Sequence, residues 1–156
     1  MSRAARPGLF QYVDGSERRA ITSTDVNEYL REVSGGPFTA KDYRTWAATL
    51  GAAMLLCGLE HPDSAAACKR CINEVLGAVA GKLGHTKAVC RSSYIHPRIL
   101  EDFTTGKLGR DLARPIRRKI GKATVVEAGA IDVASLRAIE PLIARYLDPG
   151  RRRSHA

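Results

Sequence analysis

Thr39-Ala40-Lys41-Asp42-Tyr43-Arg44-Thr45-Trp46-Ala47-Ala48-Thr49-Leu50-Gly51-Ala52-Ala53-Met54-Leu55-Leu56-Cys57-Gly58 is the stretch whose periodicity sets the fold class. Thr39 stands where a helix N-cap belongs, and Asp42 three residues later completes a capping-box-like pair. Tyr43, Trp46, Ala47, Leu50 and Met54 then recur along one helical face, which predicts a long core helix ending near Gly58. Toward the C-terminus a third helix is expected from about Asp63, after His61-Pro62. It buries Cys68, Cys71, Ile72, Val75, Leu76 and Val79 and stops at Gly81 and Gly84. Thr86 caps a short fourth helix carrying Val89, Cys90 and Tyr94, and Pro97 forces the chain to turn soon after Tyr94. Residues 97 to about 105 suggest one more short helix. Beyond them Gly106, Gly109, Pro115 and Gly121 interrupt a basic stretch that reads as loop or tail. A last amphipathic helix is expected from Asp132 to Leu147, with Val133, Leu136, Ile139, Ile143 and Leu147 on its stripe. On the N-terminal side, Thr22 onward carries Val26, Tyr29, Leu30 and Val33 at helical spacing up to Gly35-Gly36-Pro37. Before that, Leu9 to Val13, the turn signal Asp14-Gly15, and Arg18 to Ile21 read as a small β-hairpin. The fold class is therefore mainly α, with a small N-terminal β-hairpin.

Composition agrees and narrows the function classes. In 156 residues, 44% are apolar and 26% charged, which supports a buried core and excludes disordered, collagen-like and disulfide-framework classes. The formal net charge is +9, and from Lys87 to Lys122 ten cations face three acids. A polyanionic partner is the first expectation. No stretch approaches the length of a membrane span and the N-terminus has no signal-like apolar region, so a cytoplasmic protein that stays off membranes is expected. Without a secretory signal, Cys57, Cys68, Cys71 and Cys90 read as reduced thiols. Cys68-Lys69-Arg70-Cys71 has metal-like C-x-x-C spacing, but no second such pair follows and both sulfurs fit the apolar stripe of the third helix, so no metal is expected.

Two constellations carry chemistry. Lys41 and Arg44 project from a similar face near a helix N-terminus, where cations oppose the helix dipole unless an anion answers them. A phosphate answers both; so, equally, do Asp42 and other acids. The second is Gly84-His85-Thr86 through Ser93-Tyr94-Ile95-His96-Pro97, a histidine at a helix junction followed nine residues later by a tyrosine.

Taken with Phe38-Thr39-Ala40-Lys41-Asp42-Tyr43-Arg44-Thr45-Trp46, that block strongly resembles the C-terminal part of the catalytic domain of bacterial and poxvirus-like type IB DNA topoisomerases. Leu9 to Asp14 and Asp25 to Glu32 look like the same family, and the resemblance covers about residues 9 to 105. Tyrosine recombinases share the Gly-His block, but they typically carry His-x-x-Arg where this chain has Lys-Asp-Tyr-Arg. The expected organisation is an N-terminal hairpin segment (1–21), a helical catalytic subdomain of the type IB topoisomerase and tyrosine recombinase kind (22–105) and, beyond the resemblance, a basic C-terminal segment with a last helix (106–156).

The resemblance also implies roles. Tyr94 is the nucleophile that joins a DNA 3′-phosphate and frees a 5′-hydroxyl. Arg44 and His85 bind the scissile phosphate, and Lys41 contacts DNA; Lys87 and Arg91, from the basic run, are expected to contact DNA as well. Duplex DNA is the partner, at the nucleoid of a bacterial cell. One ester replaces another, so neither ATP nor a cofactor is expected. Nine residues of unbroken helix between His85 and Tyr94 would rise about 13 Å, too far for both to reach one phosphate. The turn before Pro97 and the poor helix formers Ser92 and Ser93 are expected to resolve this, with Tyr94 mobile until DNA binds. Family members carry, upstream of these blocks, a second phosphate-clamping arginine, a lysine that protonates the leaving oxygen, and a clamp-closing domain. Residues 1 to 38 match none of them. The chain is expected to be the C-terminal half of such an enzyme, dependent on a separate chain for activity; the alternatives are an inactive DNA-binding remnant and a recombinase-like protein.

Overall fold

The computed structural model describes residues 10–121, 131–148 and 150. The chain divides into two units, residues 1–43 and 44–156. In the first, β1 (Gln11–Asp14) pairs antiparallel with β2 (Glu17–Ala20), Tyr12 opposite Arg19 and Val13 opposite Arg18. Gly15, at φ 63°, makes the tight turn that other residues resist. Every residue of both strands is exposed. Helix α1 (Ser23–Ser34) starts at a reciprocal capping box between Thr22 and Asp25 and ends at Gly35, in the left-handed region. The apolar residues read at helical spacing there, Val26, Tyr29 and Val33, are exposed.

Helix α2 (Ala40–Gly58) opens with the expected pair: the Thr39 amide and hydroxyl donate to Asp42 Oδ2 at 2.8 and 2.6 Å. Those bonds, the hydroxyl's first, hold the Asp42 carboxyl below its ordinary range. From Ala48 to Met54 every residue is buried, as are Leu56 and Cys57. Instead of the single apolar face that the spacing suggests, this part of α2 is covered all round, and Ala48, Gly51, Ala52 and Ala53 let neighbours approach closely. A Cβ on Gly51 would stand 3.0 Å from Ile131 Cδ1.

Around this segment pack α3 (Ala65–Leu83), α4 (Lys87–Ser93), α5 (Pro97–Thr104), a π-helical turn (Gly109–Ala113) leading into α6 (Arg114–Ile120), and α7 (Val133–Leu147). Met54, Leu76, Ile99, Leu108, Ile116, Ile139 and Ile143 lie at the centre, each less than 2% exposed.

The basic stretch after Gly106 is helical between Gly109 and Ile120, where the sequence suggested loop or tail. Leu108, Leu112 and Ile116 recur every four residues and are all buried. Pro115 falls in the first turn of α6, directly after the π-helical turn. Helix α7 begins where expected and is capped by Asp132, but Val133, placed on the apolar stripe, is exposed, and Pro141 sits inside the helix. Cys68 is buried as expected, whereas Cys71 is only half-buried; none of the four cysteines is bridged. Among the described residues no helix is long and apolar enough to cross a membrane.

Candidate active site at the end of the fourth helix

Three elements of the second unit deliver the central side chains. Arg44 comes from the second turn of α2. His85 follows the end of α3, where Gly84 at φ 68° and the His85 amide both hydrogen-bond to the Ala80 carbonyl. Glycine takes that left-handed conformation without the Cβ penalty, so the chain reverses there and presents the imidazole beside α2. Thr86 then caps α4, its hydroxyl accepting from Val89 N–H at 3.3 Å. Tyr94 closes α4, and the amides of Tyr94 and Ile95 share the Cys90 carbonyl, each at 3.1 Å. Cys90 and Ile95 are buried and anchor the segment, leaving Tyr94 half-buried between solvent and core.

These side chains converge. Arg44 Nη2 donates to the Leu83 carbonyl at 2.9 Å and lies 2.9 Å from His85 Nε2. A guanidinium only donates, so Nε2 is the acceptor and the proton of a neutral His85 sits on Nδ1 in this arrangement. The His85 and Tyr94 rings stack with centroids 4.8 Å apart and planes 13° from parallel. Arg44 Cζ lies 5.6 Å from the Tyr94 ring centroid. The distance problem set by the sequence disappears because helix runs only from Lys87 to Ser93: His85 precedes it, and Tyr94 is a capping residue outside the α conformation, at φ −126° and ψ −18°.

The other site residues are placed differently. Lys41 is exposed in the first turn of α2, next to Asp42, whose carboxylate is engaged by Thr39. Lys87 opens α4 with its stem over α3, where a Cβ on Gly77 would stand 2.9 Å from Lys87 Cε. Arg91 is exposed in the last turn of α4.

Sequence reasoning missed two features. The hydroxyl of Thr49, 1% exposed, donates to the Tyr94 carbonyl at 3.3 Å and accepts from the His96 amide at 3.1 Å. Nothing in the order of residues distinguishes Thr49 from the small residues around it. The second is a polar cluster behind α5, in which Asp102 Oδ2 accepts from Arg98 Nε at 3.2 Å and from the Tyr146 hydroxyl at 2.5 Å. Burial first, and then the Asp102 bond, push the Tyr146 phenol above its ordinary value.

As a group, a guanidinium, an imidazole and a phenol within contact of one another suit an anionic phosphorus centre, with donors for its oxygens and a hydroxyl to attack it. The family model described as "Eukaryotic DNA topoisomerase I, catalytic core" matches residues 3–112. A protein named DNA topoisomerase 1B, from Acanthamoeba polyphaga mimivirus, is 34% identical over 101 residues, which are 60% of this chain and 30% of that protein. The chain thus spans about a third of that relative's length. The relative is viral, so it gives no support to the expectation of a bacterial source.

Proposed function

Because the chain belongs to the DNA topoisomerase I catalytic-core family, we propose that it supplies the nucleophile and part of the phosphate grip for cutting and rejoining one strand of duplex DNA. The observation that carries this reading is the meeting of Arg44, His85 and Tyr94 from three separate elements. Tyr94 Oη attacks the phosphorus of a phosphodiester, and the new Oη–P bond replaces the P–O5′ bond. The phenolic proton passes to solvent, a general acid protonates the departing 5′-oxygen, and the products are a 3′-phosphotyrosyl link and a 5′-hydroxyl. Attack by that hydroxyl after strand rotation restores the duplex in relaxed form. Each ester replaces another, so ATP has no part in the balance.

Arg44 offers a planar fork to two phosphate oxygens, and His85 donates to a non-bridging oxygen. Before DNA arrives, Arg44 and His85 satisfy each other; the phosphate takes over as acceptor, and His85 must then carry a proton on Nε2. A preorganised donor of this kind contributes about 10²- to 10³-fold in rate. Lys41, Lys87 and Arg91 hold neighbouring phosphates through charge. The second clamping arginine and the proton-donating lysine that the resemblance implies are to be supplied from outside these 156 residues, with the working complex on DNA.

The test is a duplex nicked so that the cleaved end diffuses away, offered to the protein alone and together with an N-terminal topoisomerase portion bearing the missing arginine and lysine. The expected result is a covalent adduct that needs both polypeptides and is abolished by Tyr94→Phe. Efficient plasmid relaxation by this chain alone, lost in Tyr94→Phe, refutes the complementation. Salt-sensitive binding with no adduct under any condition refutes the chemistry and leaves a DNA-binding remnant; Holliday-junction products would mark a recombinase.

A further inference from the structure

Thr49 lies five residues after Arg44 on α2 and is buried, with its hydroxyl turned to two backbone groups. Its one proton goes to the Tyr94 carbonyl and a lone pair takes the His96 amide, at 3.3 and 3.1 Å. Both partners stand at a helix junction. Tyr94 is the C-cap of α4, where carbonyls lose their intrahelical donors, and His96 is the N-cap of α5. Between them Ile95, 5% exposed, plugs into the core. The backbone on both sides of Ile95 is thereby tied to a single hydroxyl on the helix that also carries Arg44.

We propose that Thr49 is a positioning residue, which holds the Tyr94 backbone so that the phenol stays stacked on His85 and in register with the Arg44 guanidinium. The proposal rests on the reading of Tyr94 as nucleophile. It follows from connectivity: α2 delivers Arg44 through its own backbone and Tyr94 through Thr49, so one rigid helix sets the distance between phosphate grip and attacking oxygen. A misplacement of about 1 Å at such a site costs about 10²-fold in rate.

Two substitutions and two readouts test it. Thr49→Val keeps the shape and removes both hydrogen bonds; Thr49→Ser keeps them. The first readout is the NMR shift of the His85 ring protons, which the stacked Tyr94 ring displaces and Tyr94→Leu abolishes. The second is the rate of adduct formation on the nicked duplex in the complemented complex, beside the affinity for intact duplex. Thr49→Val is expected to lose the His85 displacement and to slow adduct formation by about 10- to 100-fold, with duplex affinity retained. Thr49→Ser is expected to match wild type in both. A folded Val protein that keeps the displaced shift overturns the proposal, and so does a folded Ser protein that loses it, which decides the matter should Val fail to fold. A wild-type protein that never forms the adduct counts against the proposed chemistry alone, because the NMR readout requires none.

Discussion

Replacing Tyr146 with Phe removes one hydrogen bond that ties α7 to α5 and leaves almost everything around it in place. The hydroxyl donates to Asp102 Oδ2 at 2.5 Å, and the same oxygen keeps Arg98 Nε at 3.2 Å in the variant. The ring also remains, with Arg98 Cζ 4.7 Å from its centroid. No charge is stranded, so the loss is that of the single bond. A hydrogen bond to a charged group contributes about 1.5–3 kcal/mol, and half-burial of Tyr146 takes the expectation to about 1–2 kcal/mol. In a chain of this size that lowers Tm by about 2–8 °C at pH 7. The pH dependence supplies a sharper check. Burial and Asp102 raise the phenol's folded pKa above its ordinary 10.0, so the native state favours the protonated form. That contribution is complete below pH 10 and is lost as pH climbs past it, so the gap between wild type and Tyr146→Phe narrows in alkali. Thermal melts followed by circular dichroism from pH 7 to 11 measure both effects. Equal Tm at pH 7, or a gap that widens with pH, refutes the reasoning.

Ile139→Ala, at a fully buried position of α7, should cost about 2–5 kcal/mol in urea unfolding; a loss under 1 kcal/mol would mean that α7 is not part of the core. Burial pushes the Cys57 thiol up to about 12 from its ordinary 9.0, so stability should fall as pH rises from 9 toward 12, and a Cys57→Ala protein should show a shallower decline. An Ellman's-reagent time course should find Cys71 first, with Cys57, Cys68 and Cys90 waiting for unfolding; equal rates at all four in native protein would contradict the packing.

Much of this was legible in the residues because local chemistry and tertiary role coincide there. Asp14-Gly15 turns the hairpin, Thr22, Thr39, Thr86 and Asp132 begin helices, and Gly35 and Gly84 end them, since caps and left-handed positions depend on few neighbours. Arg44, His85 and Tyr94 were legible through motif wording. Their approach was legible only in outline, from Thr86 as a cap and the turn before Pro97; the stacking of Tyr94 on His85 and the Arg44–His85 contact depend on how α2, α3 and α4 pack. The helix from Gly109 to Ile120 was hidden because glycine, Pro115 and a run of basic residues mask the buried repeat of Leu108, Leu112 and Ile116. Thr49 and Tyr146 were invisible, since their partners, Tyr94, His96 and Asp102, lie 44 to 47 residues away in sequence.

The most direct test of the central claim is to digest the DNA-linked protein with trypsin and nuclease and weigh the peptide from Ser92 to Arg98. The account predicts a nucleotide 3′-phosphate ester on Tyr94 within that peptide. A nucleotide carried on any other residue, or a peptide of unmodified mass from protein shown to be covalently bound to DNA, would contradict it.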